Sequence, residues 1–149
     1  MQSSKMTVYA DKRAYTRDQV SKLLDERQEM LVLFCQVAGL DPYHSSAPVE
    51  YLLKAFCQKM IDYIAAGHFA IYDRLSNGGE RRHQVLEVAA IVYSKIEDTT
   101  DIAVAFNDKY DEHDHTLDFS NLQNDLAMLG EAMSNRADYE DRLIDALVS

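Results

Sequence analysis

The chain has 149 residues, of which 47% are hydrophobic, so it is long enough to bury one core without disulfides or metals. Two prolines and five glycines are too few for a linker or a low-complexity segment. The formal net charge is −10, and residues 101–149 carry 12 acidic residues against three basic ones. This acidic segment should repel nucleic acid and favour a basic protein partner, although on composition alone the better explanation is that the acidity keeps the protein soluble.

The N-terminus lacks the apolar segment of a signal peptide, and no apolar run approaches the roughly 18 residues of a membrane span. The expected location is therefore the cytoplasm, without membrane contact. Cys35 and Cys57 lie in apolar helical stretches and are expected to be reduced, buried thiols. Residues 1–15 show no clear period and are predicted to form an irregular arm before a single helical-bundle domain over residues 16–149.

Two helices are predicted in the first half of the chain. Thr16 to Gln19 fits a capping box, after which apolar residues recur every three or four positions as far as Gly39, the predicted C-terminal cap. Pro48 marks the start of the second helix, because proline is tolerated in a first turn. Gly67 is predicted to end the second helix or to kink it sharply.

A short helix over about residues 69–75 is expected next. A third long helix is predicted over residues 80–96, and residues 98–100 are either a break or a continuation of it. The last helix is predicted to start near Thr116. Since strand-like alternation is lacking, the predicted fold is all-α, an up-and-down four-helix bundle with short additional helices.

Catalytic and metal motifs are weak in this sequence. Glu80 and His83 have the Glu-x-x-His spacing of di-iron bundles, but that chemistry needs a second such motif and two more glutamates. The acidic segment around His113 and His115 is better explained as a solvated loop, since structural zinc needs four ligands in fixed geometry. Phosphate-binding loops and nucleophile motifs are also lacking, so neither an enzyme nor a cofactor or metal is expected.

His68 permits two interpretations. It directly follows Gly67, so its imidazole is expected to anchor the turn by hydrogen bonding. The alternative is phosphotransfer, which would make the chain a helical phosphorelay or a metabolic signalling adaptor that docks a carrier protein.

Three charged positions have a predicted structural or binding role. Arg27 lies within the apolar stripe of the first helix, and Glu140 lies near the corresponding stripe of the last helix. A partly buried guanidinium needs a carboxylate, so Arg27 is predicted to pair with Glu140 or Asp141 and to lock the bundle register. Asp62 lies on a stripe with Ala55, Lys59 and Ala66 that could form a shallow groove for a basic helix, although on the residues alone an ordinary solvent-facing aspartate is the better explanation.

The sequence FCQKMIDYIAAGHFAIYD, residues 56–73, resembles the signature segment of the Rsd/AlgQ family of bacterial regulators, which bind the housekeeping sigma factor of RNA polymerase. Other similar segments follow in the expected order, and together they cover roughly residues 17–147: they are residues 25–31, 91–97, 105–109, 129–132 and 136–144. One departure is Ser94, which stands where the family pattern has a proline.

The resemblance implies a helical bundle that acts as an anti-sigma transcription regulator. Its expected partner is the C-terminal region of the primary sigma factor, whose contacts with the −35 promoter element and with core polymerase it would block. The residues that the resemblance implicates in partner binding are Asp62, Tyr63, His68, Phe69 and Tyr72. The sequence leaves open whether the free protein self-associates and whether it has further partners or small-molecule modulators.

Overall fold

The computed structural model describes residues 2–72, 82–111 and 117–148, which form four long α-helices. In chain order these are α1 (Gln2–Ala38), α2 (Val49–Gly67), α3 (His83–Lys109) and α4 (Leu122–Val148), and a π-helix, His68–Tyr72, follows α2 directly. The helix α1 packs along α2, α3 packs along α4, and α1 also contacts α4. The predicted all-α four-helix fold is confirmed, and the part of the chain that is described contains no strand.

The centre of the core is a row of aromatic rings that links three helices. Phe56 of α2 lies edge-on to Phe34 of α1 and to Phe106 of α3, with ring centroids 5.8 and 6.0 Å apart. This edge-to-face arrangement is one that aromatic pairs prefer, because the positive ring edge meets the negative ring face. The surrounding core is mostly aliphatic, also includes Tyr63 and Tyr110, and draws on all four helices.

The predicted irregular arm is wrong, because α1 begins at Gln2 and continues through residues 2–15. These residues include neither glycine nor proline, so nothing in the backbone interrupts the helix. Thr16, the predicted cap, therefore lies inside α1 and is buried. The assignment of residues 16–149 to a single domain stays a prediction.

The predicted end of α1 at Gly39 is confirmed. Gly39 has a φ of 71°, a conformation that glycine adopts without steric cost. The N–H of Leu40 donates to the carbonyl of Cys35 at 2.9 Å, and the N–H of Gly39 donates to the carbonyl of Gln36 at 3.2 Å. This pair of hydrogen bonds is a Schellman motif, which satisfies carbonyl groups at the helix end.

The predicted limits of α2 are also confirmed. Pro48 directly precedes the helix, and its carbonyl accepts the first helical hydrogen bond from Leu52 at 3.1 Å. The α-helical geometry ends at Gly67, where the chain enters the π-helix. That π-helix takes the place of the short helix predicted over residues 69–75, of which residues 73–75 lie outside the described residues.

The third helix is continuous through residues 94–100, so neither Ser94 nor the threonine pair breaks it. The hydroxyl groups of Thr99 and Thr100 both donate to the carbonyl of Ile96, at 2.6 and 3.3 Å, which satisfies them within the helix. Its predicted start at Glu80 lies outside the described residues.

The last helix starts at Leu122 and not near Thr116, because residues 117–121 are not helical. There the carboxylate of Asp118 accepts the N–H of Ser120 at 2.9 Å, a local bond that competes with helix formation. Among the described helices, none is both long and apolar enough to cross a membrane.

Candidate functional site

Asp62 lies on the outer side of α2, where its carboxylate accepts a hydrogen bond from the side-chain amide of Gln58 at 3.3 Å. It is partly exposed, and its neighbours Ile61 and Ala65 are exposed as well. One turn beyond Gln58, Lys54 is also at the surface. The outer side of α2 is therefore a mixed polar and apolar surface that a partner can reach.

The stripe on which Asp62 was predicted to form a groove is in fact where α1 packs against α2. Lys59, in the middle of this stripe, pairs with Glu26 at 3.3 Å and with Glu29 at 2.8 Å, both on α1. The hydrogen bond to Glu29 is the main reason why the pKa of Lys59 is raised. The predicted shallow groove at this stripe is wrong, because sequence spacing does not show which helix covers a stripe. Asp62 lies at the edge of the α1–α2 seam.

Tyr63, predicted to bind the partner beside Asp62, is fully buried. Its hydroxyl donates a hydrogen bond to Glu140. Burial raises the pKa of Tyr63, and the nearby Glu140 carboxylate raises it further, so the phenol stays neutral. The apolar period of α2 places Tyr63 inward, so its side chain is not available at the surface of the bundle.

The predicted pairing of Arg27 is present in the structure. Its Nη2 lies 3.2 Å from Glu140 Oε1, and its Nη1 lies 2.8 Å from Asp141 Oδ1, so α1 is tied to α4. Burial by itself would lower the pKa of Arg27. The hydrogen bond to Asp141 and the attraction of Glu140 outweigh burial and hold its pKa above the ordinary value.

Arg136 is the structural residue that sequence reasoning missed. It is only 1% exposed, its Nε lies 3.2 Å from Glu140 Oε2, and its Nη1 lies 3.2 Å from Thr99 Oγ1 and 2.6 Å from Thr100 Oγ1. A signal was present, since Arg136 stands three residues after Met133 on the apolar stripe of α4 and four residues before Glu140. The members of this buried cluster, called the Glu140 network below, are Arg27, Tyr63, Thr99, Thr100, Arg136 and Glu140.

Gly67 lies directly against the Glu140 network. A Cβ atom at this position would lie 3.3 Å from Glu140 Oε2, 3.6 Å from Leu23 Cδ1 and 3.7 Å from Arg136 Nη2. The absence of a side chain therefore lets the end of α2 approach the buried charges closely. This explains the glycine by packing, which the sequence alone did not show.

His68 is exposed and lines a cleft of about 450 Å³ between the end of α2 and α3. Glu97 and Asp101 of α3 line the same cleft. Phe69 and Tyr72, the remaining predicted partner-binding residues, belong to the π-helix by their backbone. Their side chains lie outside the described part of the structure.

In the described residues, no group of side chains is arranged for metal binding or redox chemistry. Within residues 2–72, 82–111 and 117–148, no group of three or more histidine, cysteine or acidic side chains is placed to hold a metal ion. Glu80, His113 and His115 lie outside those ranges. Cys35 and Cys57 are free thiols, and burial raises the pKa of Cys57 to about 12.

A helical bundle is compatible with many functions, so the class of this protein follows from the family to which the chain belongs. The chain matches the family model described as "Regulator of RNA polymerase sigma(70) subunit, Rsd/AlgQ" over residues 3–148. It therefore belongs to the Rsd/AlgQ family, as the sequence resemblance predicted. This is a family of regulators and not of enzymes, which agrees with the predicted lack of catalysis.

Curated relatives agree with the family match. Proteins named "Regulator of sigma D" from Salmonella newport (strain SL254), Salmonella agona (strain SL483) and Salmonella enteritidis PT4 (strain P125109) are each 36% identical to this chain over 131 residues. The matched region covers 84% of this chain and 78% of each relative. No solved structure matches the chain.

Proposed function

We propose that this chain is an anti-sigma regulator that binds the C-terminal region of the housekeeping sigma factor. Membership of a family of sigma(70) regulators is the observation that carries the proposal. By occupying that sigma region, the bound protein blocks its contacts with the −35 promoter element and with core polymerase. No chemical step is needed, because the effect is steric.

The charge of the chain supports a basic partner of this kind. The net charge is −10, and the surface of α2 that carries Asp62 adjoins Glu26 and Glu29 of α1. A DNA-reading helix is basic, because it must approach phosphate groups. Complementary charges speed and orient such an association, while apolar packing at the interface supplies much of the affinity.

The predicted binding residues have different roles in this proposal. Asp62 contacts the partner directly, since its carboxylate is at the surface. Tyr63 acts as a positioning residue, because its bond to Glu140 fixes the orientation of α2 from inside. His68 extends the contact surface at the end of α2, and the same role for Phe69 and Tyr72 stays a prediction.

The test is a titration of the full chain against the isolated C-terminal domain of its own primary sigma factor, at two salt concentrations. Binding that weakens at high salt is expected, because ions screen exposed charges. Asp62→Asn should weaken binding by about tenfold, roughly 1.4 kcal/mol, without loss of helicity. Asp145→Asn on α4 makes the same charge change at another exposed site and should bind like the wild type.

The possible results test the proposed function and the role of Asp62 separately. If the wild type does not bind at either salt concentration, the proposed function is wrong. If it binds and Asp62→Asn binds equally well, the function stands and the role of Asp62 is wrong. Loss of helicity in Asp62→Asn would show instead that this carboxylate is structural.

The phosphorelay alternative has less support from the geometry. Although His68 is exposed, Glu97 and Asp101 line the same cleft and would repel a phosphoryl group. Arg136 also lines this cleft, but its charge is already paired with Glu140. Acid-labile phosphate on His68 would favour the alternative. If His68→Gln leaves all regulation unchanged, this alternative is eliminated.

A further inference from the structure

Two clefts follow one another along α2 and α3, and together they outline a groove between these helices. One end is the 450 Å³ cleft at His68 and Glu97, and a second cleft of about 320 Å³ lies between Ile61 of α2 and Asn107 of α3. The residue numbers rise along α2 while they fall along α3, so the two clefts lie one after the other between antiparallel helices. Along α2 they extend from Glu50 to His68, about 27 Å at the rise of an α-helix. We call this the α2–α3 groove.

The middle of the α2–α3 groove is apolar. Ile61 lines the second cleft and is 36% exposed. Val104 is 43% exposed and stands four residues after Thr100 and three before Asn107, both of which line the clefts. Helical spacing therefore places Val104 on the groove side of α3, between the two clefts. Two exposed aliphatic side chains at this point leave apolar surface that a partner can cover.

Acidic residues line both ends of the groove. Glu97 and Asp101 lie at the His68 end, and Glu50 and Asp111 lie at the opposite end. Two basic residues also line the clefts, Lys54 and Arg136. The buried carboxylate of Glu140 lies 3.2 Å from Arg136 and neutralises its charge. The groove as a whole therefore presents negative charge around an apolar centre.

We propose that the α2–α3 groove receives one cationic amphipathic helix of the sigma C-terminal region. Apolar side chains of that helix cover Ile61 and Val104, and its basic side chains lie against the acidic residues at the two ends. An amphipathic helix laid into a groove is a common mode of recognition, and about 27 Å accommodates about five helical turns. This inference rests on the proposed function and assigns the partner surface within it.

Asp62 and the groove form one continuous surface. The carboxylate of Asp62 accepts a hydrogen bond from Gln58, and Gln58 lines the second cleft. A helix that lies in the groove therefore has the Asp62 carboxylate beside it, on the side nearer α1. The same docking position accounts for a role of Asp62 and of His68, which lie about two turns apart on α2.

The first test places a lysine in the groove and, as a matched control, outside it. Val104→Lys puts a cation and added bulk between the two clefts, so binding of the sigma C-terminal domain should weaken by about tenfold or more. Ile91→Lys makes the same kind of change on α3, at a site that is 61% exposed and does not line either cleft. The control should bind within about twofold of the wild type.

The second test removes charge without changing shape. The double variant Glu97→Gln with Asp101→Asn should lose affinity at low salt and should show a weaker salt dependence than the wild type. The control is Glu87→Gln with Asp98→Asn, which neutralises two exposed acids of α3 that do not line either cleft. All four variants change exposed residues, and their circular dichroism and melting temperature should match the wild type.

The outcomes distinguish the groove from the function. If the wild type binds sigma and the groove variants bind as well as their controls, the groove proposal is overturned while the anti-sigma function stands. If the controls lose affinity and the groove variants do not, the partner lies on the opposite side of α3 and the groove proposal is again overturned. If the wild type itself does not bind, the proposed function fails first.

Discussion

The Glu140 network and the α2–α3 groove use the same kinds of side chain for opposite purposes. In the network, Glu140 is fully buried and accepts hydrogen bonds from Arg27, Tyr63 and Arg136. In the groove, acidic residues such as Glu97 and Asp101 face solvent around an apolar centre. The comparison teaches that burial, and not residue type, decides whether a carboxylate holds helices together or remains available to a partner.

The physical reason is the cost of an unpaired charge. Removing one partner of a buried ion pair leaves the other charge without solvent or counterion, which costs several kcal/mol. An exposed carboxylate is hydrated, so removing it changes stability by about 1 kcal/mol or less. Substitutions in the Glu140 network should therefore act on folding, and those in the groove should act on binding.

The largest expected effect is on Glu140. Glu140→Gln should lower the free energy of unfolding by about 3–5 kcal/mol, because the buried Arg136 then has no carboxylate partner and Arg27 keeps only Asp141. Urea denaturation followed by circular dichroism measures this loss. The neighbouring Asp141→Asn, at a half-exposed carboxylate, should cost about 1 kcal/mol or less. Equal losses of stability in the two variants would show that a buried carboxylate of the Glu140 network contributes no more than an exposed one.

A smaller loss is expected when Arg27 is replaced. Arg27→Met should cost about 1.5–3 kcal/mol, the usual worth of hydrogen bonds to charged groups. Glu140 keeps its bonds from Tyr63 and Arg136 in this variant, so the loss should stay below that of Glu140→Gln. Thermal unfolding is the measurement, and an unchanged melting temperature would show that the pairing of Arg27 does not stabilise the bundle.

A methyl group at Gly67 tests how tightly the network is packed. Alanine improves helix propensity by about 1 kcal/mol, but overpacking typically costs about 1–3 kcal/mol. Because the new Cβ would lie 3.3 Å from Glu140 Oε2, whose position is fixed by Arg136, a net loss of about 1 kcal/mol is expected. Urea denaturation shows whether the substitution lowers or raises the free energy of unfolding. A gain in stability would mean that the side chains of the Glu140 network can move aside at little cost.

The smallest effect is expected at a partly exposed pair that joins α3 to α4. Lys109 Nζ lies 2.7 Å from Asp125 Oδ2, and hydrogen bonds from Lys109 and Tyr110 lower the pKa of Asp125. Its folded pKa is depressed, so its contribution to stability is present above the unfolded pKa of about 3.9 and is lost as the pH falls through the folded value. Asp125→Asn should therefore flatten the fall in stability below about pH 4, measured by urea denaturation at several pH values. An unchanged acid profile would contradict this contribution.

Several features of the fold and site follow from local sequence signals. Glycine is a poor helix former, so Gly39 and Gly67 were predictable as helix ends, and the structure confirms both. Tyr63, which the resemblance assigned to partner binding, stands three residues after Met60 on the apolar stripe of α2, and that spacing agrees with its burial. The pairing of Arg27 with Glu140 was predictable because a charge within an apolar stripe requires an opposite charge.

Other features depended on contacts between distant segments. The sequence did not show that α1 covers the stripe beside Asp62, because Lys59 and Glu29 are far apart along the chain. Arg136 was missed for the same reason, since its hydrogen bonds to Thr99 and Thr100 join α4 to α3.

The sequence by itself determined the helical class, the C-terminal end of α1, the limits of α2, the acidic charge and the family. These depend on residue type and on spacing within one or two turns, which are local properties. Only the tertiary structure decided which helices pack together, which carboxylates are buried and where α2 and α3 leave a groove. The physical reason is that the faces of different helices are matched by side-chain packing across long sequence separations, and helical periodicity carries no information on that matching.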